Sequence, residues 1–325
     1  MTTYSFDAYV TAALFDRTGQ ALFALGDGTV RLQDGTAIEA HPGAGVLCAA
    51  SHPSGAGIVT GGDDGRLAWT LPSGAKVLAE APGRWIEAVA ASAASGLIAF
   101  SAGKTARIVS ANDPAFERAF EHETSVLGLA FDPKGLRVAV AAYGGVWNWY
   151  ARIAQQKPQT LKWAGIHNDV LFSPDGKFLI TALQDAQLHA WRLSDGKDMR
   201  MGGYPAKVKS MAFLSDGALL ATSGAHGAVI WPFTGPSGPM GREAAEVAFD
   251  ELSLVERLAG AGQTLVGGRA DGRLFALALG SSRTVPLKQD KGAPITALAL
   301  SADGRRYAWG DEDGAAGVSD VPSLA

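Results

Sequence analysis

Eight glycines recur along the chain at nearly even spacing, each closing a turn between two short apolar runs: Gly19, Gly55, Gly96, Gly135, Gly176, Gly217, Gly262 and Gly304. Their successive differences are 36, 41, 39, 41, 41, 45 and 42 residues. The fifth unit shows the pattern in full: Asn168-Asp-Val-Leu-Phe172, the turn Ser173-Pro-Asp-Gly176, Phe178-Leu-Ile-Thr-Ala182, the turn Gln184-Asp-Ala186, then Gln187-Leu-His-Ala-Trp191. Three short strands with Pro, Asp and Gly at the joints read as an antiparallel meander. A period near 40 residues built from such meanders is the signature of a closed β-propeller.

A fourth strand is expected between each third strand and the next unit. Lys76-Val-Leu78, Gln159-Thr-Leu-Lys162 and Ala245-Glu-Val-Ala-Phe249 have the composition for it. Eight meanders predict an all-β domain over 1–325 with eight four-stranded blades, seven being the alternative count. The last unit runs out near Val321 after three strands, while Tyr4-Ser-Phe-Asp-Ala-Tyr9 precedes the first. This N-terminal segment is therefore expected to complete the last blade, which removes an exposed sheet edge.

Charge and composition narrow the function classes. Lys and Arg number 28 against 32 Asp and Glu, for a net charge of −4, so no basic groove for nucleic acid is expected. Cys48 is the single cysteine and sits in the apolar run Val46-Leu-Cys-Ala-Ala50, which predicts a small buried side chain and no intrachain disulfide. The N-terminus lacks the basic and apolar regions of a secretion signal, and no apolar run approaches the length of a membrane span. The expectation is a cytoplasmic protein, monomeric on its own, with neither membrane nor nucleic acid as partner.

Trp69, Trp149 and Trp231 each stand 14 residues after their turn glycine and Trp191 stands 15 after. The turns Ser173-Pro-Asp-Gly176, Asp132-Pro-Lys-Gly135 and Ser301-Ala-Asp-Gly304, with His41 and His122 ahead of the strands opening at Val46 and Val126, complete the set. In these features the whole chain resembles the WD-repeat β-propeller family. It departs from that family where an aspartate usually follows the tryptophan: Thr70, Tyr150, Arg192 and Pro232 stand there instead. The resemblance implies a hydrogen-bonded His, Ser/Thr, Asp and Trp set within a blade. Only unit 2 has all four residues in place, as His41, Thr60, Asp63 or Asp64, and Trp69.

No phrase for catalysis is present: no Gly-x-Ser-x-Gly elbow, no His-Glu-x-x-His, no phosphate loop and no cysteine pair for zinc. No enzyme activity, cofactor or metal is therefore assigned. The acidic turns Asp63-Asp64 and Asp311-Glu-Asp313 read as solvated turns. His41, His122, His167 and His226 belong to different units, and two of them occupy the family's structural position.

The resemblance places the fourth-to-first and second-to-third strand connections on one face. Around it come Arg84 and Trp85, Lys104, Tyr143, Trp163 and His167, then Tyr204, Lys207 and Lys209. Asp311, Glu312, Asp313, Asp27, Asp63 and Asp64 follow from units 8, 1 and 2. Aromatic and basic residues are the usual anchors of partner binding, so Arg84, Trp85, Trp163, His167, Tyr204, Lys207 and Lys209 are the candidate contacts for one or more proteins or peptides. Packing competes with binding for three aromatic rings, since Trp163, Tyr204 and His122 all lie 13 residues before their turn glycine. The expected role is a non-enzymatic interaction scaffold. The alternative is a small-ligand or metal-binding sensor or enzyme using the central channel, which the apolar strand openings Val10, Val46, Val126, Val208 and Ile295 argue against.

Overall fold

The computed structural model describes residues 2–281 and 283–324. Among them the only helical element is a single 3-10 turn at Ser215–Gly217, and strands make up the rest of the regular structure. All eight turn glycines adopt positive φ, between 56° at Gly262 and 91° at Gly217. Glycine tolerates that backbone region at no steric cost, which is why the repeat is written in glycines.

The strands hydrogen-bond into seven sheets, six of four strands and one of six. By hydrogen-bonded sheet the propeller thus has seven blades, the alternative count, one of them six strands wide and carrying units 4 and 5. The fusion has a local cause. Arg137–Tyr150 continues from the second strand of unit 4 into its third through Gly144 and Gly145, at φ 89° and 143°, and the Ala151 N–H donates to the Leu136 carbonyl at 2.9 Å. Gln159–Phe172 is then shared: Gln159–Lys162 pairs with Gly145–Asn148 of unit 4, and Asp169–Phe172 pairs with Leu179–Ala182 of unit 5.

Each four-stranded meander is held by packing against its neighbours. Eight separate apolar clusters fill the gaps between consecutive units, for example Val59, Leu67, Ile86, Ile98 and Phe100 between units 2 and 3, and Ala139, Val146, Leu161, Phe172 and Trp191 between units 4 and 5. These side chains alternate along the strands so that both sheet faces are covered, and their removal from water is the main stabilising term. Cys48 joins the cluster between units 2 and 3, its thiol donating to the Ile86 carbonyl at 3.2 Å while burial pushes its pKa up to about 12.

Ring closure follows the expected logic with a shifted boundary. The N-terminal strand is Thr2–Ser5, rather than a segment extending to Tyr9, and it pairs antiparallel with Ala315–Val318 of the last unit. Phe6 turns inward to pack on Tyr4 and Phe23, and Tyr9 already belongs to the connection into unit 1. A second seal lies further in, where Thr296 donates its hydroxyl to the Val10 carbonyl at 2.6 Å, joining residues 286 apart.

From unit 6 round through units 8 and 1 to unit 5, the first strands of consecutive units contact one another and line the inner ring. In five units that strand carries a bulge directly after its opening residue, at Val10, Val46, His167, Val255 and Ile295. The openings Val10, Val46, Val126, Val208 and Ile295 are buried between sheets. They do not set the polarity of the channel, contrary to the expectation drawn from them. The inner strands instead offer Thr11, Asp169, Arg257 and Thr296, with Asp169 exposed to the channel.

Candidate partner-binding face

Backbone hydrogen bonds place the expected connections at one end of the ring. The second-to-third turn of each unit is tied to the fourth-to-first connections beside it: Gly26 to Tyr9, Ala81 to Gly65, His122 to Lys104, Gln184 to Ile166, Ala206 to Gly224 and Asp250 to His226. Ten large hydrophobic side chains are exposed among the described residues, and six of them, Tyr9, Trp85, Tyr143, Ile166, Phe249 and Leu252, stand on these connections.

The individual candidates separate into two groups. Trp85 is 60% exposed and sits beside exposed Arg84 in the loop entering unit 3. Tyr143, 58% exposed, tops unit 4, and Ile166 follows at the entry to unit 5. Lys104, Lys162 and Lys209 are exposed and Lys207 is half-buried. Lys209 is engaged in an ion pair with Glu256, and Lys207 donates to the Gln184 side chain at 2.9 Å. Glu87 and Glu123 are also exposed on this arc, so its charge is mixed and its apolar side chains are the stronger feature.

Trp163, His167 and Tyr204 are built into the blades. The His167 ring is buried; its Nε2–H donates to the Trp163 carbonyl at 3.1 Å, which leaves Nδ1 to accept from the Thr181 hydroxyl at 2.8 Å. Trp163 lies flat on the buried His189 ring at 3.8 Å. Tyr204 takes the slot that histidine holds in unit 2. Its hydroxyl accepts the Trp231 indole N–H at 2.7 Å and meets the Thr222 hydroxyl at 2.7 Å, and burial pushes its pKa up to about 12. These three side chains brace the loops that present Ile166 and Lys207, and they offer a partner little surface of their own.

The same bracing explains the polar set of unit 2, with one correction. His41 is buried, with Nδ1–H donating to Asp64 at 3.0 Å and Nε2 meeting the Thr60 hydroxyl at 2.8 Å. Trp69 is outside that chain: its indole N–H donates to the Ala56 carbonyl at 2.8 Å and its ring stacks on His52 at 3.9 Å. Related pairs occur in other units, His167 with Thr181 in unit 5 and Tyr204 with Thr222 in unit 6, where the Trp231 indole N–H joins the pair. In unit 4 the His122 ring meets Trp147 and Trp149 edge-on.

The acidic residues of units 8, 1 and 2 have local work to do. Asp27 caps Thr29, Asp63 accepts the Gly45 N–H at 2.9 Å, and the buried Asp311 accepts the N–H groups of Asp313 and Ala315. Asp27, Asp63, Glu312 and Asp313 remain exposed. Among the described residues no three His, Cys, Asp or Glu side chains gather closely enough to hold a metal ion.

A ring of antiparallel meanders closed by its own N-terminal strand and braced by His–Thr or Tyr–Thr pairs is a β-propeller of the repeat type. The crystal structure of the computationally designed Ika8 protein has the same fold, with a TM-score of 0.77 at 20% identity over 98% of each chain. The family model described as WD domain, G-beta repeat matches residues 35–68, the stretch that holds His41, Thr60 and Asp64. That match and the ring of four-stranded meanders together support a WD-repeat β-propeller. No curated protein matches its sequence.

Proposed function

We propose that the protein is a non-enzymatic, cytoplasmic interaction scaffold that binds a partner protein or peptide on the face carrying Trp85, Tyr143 and Ile166. The observation that carries the reading is the gathering of exposed large apolar side chains on that face, in loops whose bases are rigidly hydrogen-bonded. Preorganised aromatic anchors of this kind contribute most of the energy of an interface. Scaffolding of partner proteins is the common role of WD-repeat propellers, a family that is typically non-catalytic.

Arg84, Trp85, Tyr143, Ile166 and Lys207 form the working contact set, with Trp163, His167 and Tyr204 holding the loops beneath it. Affinity purification of the tagged protein with mass spectrometry supplies the partner. Alanine at Trp85 and at Tyr143 should each weaken that partner about tenfold or more, since anchors of this type cost over 1 kcal/mol when truncated. Variants that melt like the wild type yet bind with unchanged affinity would overturn the reading.

Asp169 and Arg257 on the inner strands support a second reading, a polar small ligand in the channel. Asp169→Ala should leave partner binding intact on the scaffold reading, whereas on the channel reading it should abolish binding of the small ligand.

A further inference from the structure

On the opposite face, between units 3 and 4, Leu136, Tyr150 and Ile153 line a cleft of about 480 Å3 together with Lys134 and Arg152. Leu136 is 58% exposed and Ile153 is 48% exposed. Their loop is not slack: the Gln156 side chain donates to the carbonyls of Tyr150 and Ile153, each at 2.7 Å, and accepts the Tyr150 N–H at 2.9 Å. Apolar groups are thus held out in water by a clasp of three hydrogen bonds, at a cost that burial against a partner would reverse.

The charge around this cleft is one-sided. Arg118 and Arg152 both lie over the Phe116 ring, at 4.7 and 5.1 Å. Arg118 donates through Nε to the Arg152 carbonyl at 3.0 Å, and Arg152 donates to the Ser95 carbonyl at 2.9 Å. Arg137 stacks on the Tyr150 ring at 4.3 Å and reaches its hydroxyl. Among the described residues none of these three guanidinium groups, nor Lys134, has a carboxylate within ion-pair distance, although the chain as a whole carries a net charge of −4. The nearby Asp132 is occupied by the backbone N–H groups of Leu136 and Arg137. Both guanidinium groups are fixed by carbonyls beside one ring and keep N–H donors beyond those the carbonyls take, so an incoming carboxylate would gain charge-assisted hydrogen bonds from donors already in place.

We propose that this cleft is a second docking site, separate from the face described above, for an acidic peptide segment that inserts one large apolar side chain against Leu136, Tyr150 and Ile153 and sets flanking carboxylates against Arg118, Arg152 and Lys134. The concave shape suits side-chain insertion better than a lipid surface. The cations form a compact cluster rather than the stripe that tracks a nucleic-acid backbone.

The test is selection of a displayed library of random twelve-residue peptides on the full-length protein, followed by titration of the enriched peptides with a fluorescent label. Enriched sequences should combine Asp or Glu with Leu, Phe or Trp. Their affinity should fall about tenfold or more in Ile153→Asp and in Lys134→Glu, the latter an exposed site whose change disturbs no packed group. It should be unchanged in Trp85→Ala, which separates failure here from failure of the other face. No enrichment over the Lys134→Glu protein, enrichment of basic peptides, or binding that ignores both substitutions would overturn the proposal. So would tight binding of anionic vesicles or single-stranded RNA that Lys134→Glu abolishes without any peptide binding.

Discussion

The Trp231 indole N–H donates to the phenolic oxygen of Tyr204 at 2.7 Å, and that hydroxyl in turn meets Thr222 at 2.7 Å. Thr222 also reaches the Val229 carbonyl at 3.3 Å. A tyrosine thus closes the relay that His41 closes in unit 2, linking the loop into unit 6 with its second and third strands. Tyr204→Phe keeps the ring but strands the indole donor of half-buried Trp231 and leaves the buried Thr222 hydroxyl only its bond to Val229. The expected loss is about 1 to 3 kcal/mol of stability, measured by denaturant unfolding, with partner binding by the folded fraction unchanged.

Trp69 stabilises unit 2 through its ring and its bond to Ala56, without contact to the His41 set. Trp69→Ala should cost roughly 3 to 5 kcal/mol, as for large aromatic deletions. Trp69→Phe, which retains stacking on His52, should cost about 1 kcal/mol. In Trp69→Phe the NMR signals of the His41 ring should not move. A shift there would show that the tryptophan couples to the His41–Thr60 pair after all.

Deleting residues 2–5 removes the strand paired with Ala315–Val318 and exposes the edge of the last unit. Melting temperature should fall and aggregation on heating should rise. Adding a synthetic peptide with the Thr2–Ser5 sequence extended through Phe6 should recover part of the loss. An unchanged melting curve would mean that the Thr296–Val10 bond and the cluster between units 8 and 1 close the ring unaided.

The buried His189 and the channel-facing Asp169, which surrounding protein crowds, give stability a pH dependence of opposite sign. Burial lowers His189 from 6.5 to about 4, outweighing the pull of Asp198. Between those values the unfolded chain holds more protons, so stability falls as pH drops from 6.5 towards 4. Partial desolvation by the protein packed around the inner strand raises Asp169 from 3.8 to about 6 although its side chain meets the channel, so its penalty is present above pH 6 and fades as pH falls through that window. His189→Gln should flatten the acid loss. Asp169→Asn should raise the melting temperature at pH 7 and lose that advantage by pH 4.

Much of the architecture is legible in the sequence because it is repeated eight times over. The turn glycines must take positive φ wherever they stand, and the alternation around Phe178–Leu183 or Leu97–Ala102 needs only a pleat and two covering sheets. Blade count by sheet was less legible. It turned on Gly144, Gly145 and the shared strand Gln159–Phe172, where pairing continues through two units instead of breaking. The proposed binding face was partly legible: exposure at Trp85 and Tyr143 follows from their loops, whereas Trp163 and Tyr204, written in the same kind of loop, turn inward. Sequence spacing could place them in the histidine slot but could not say whether a hydroxyl at that slot finds Thr222.

By itself the sequence determined the repeat, the all-β meander, the closing role of the N-terminus and the family, since each depends on local turn chemistry and on apolar periodicity. Tertiary structure alone decided which aromatic rings are exposed and which are built into the blades, that the charge of Lys209 is taken up by Glu256, and that Arg118 and Arg152 both lie against Phe116 without a carboxylate. The physical reason is range. Backbone preference and burial pattern act within a few residues, while a side chain's partners come from the neighbouring unit, about 40 residues away in a propeller repeat, where only the closed ring brings them together.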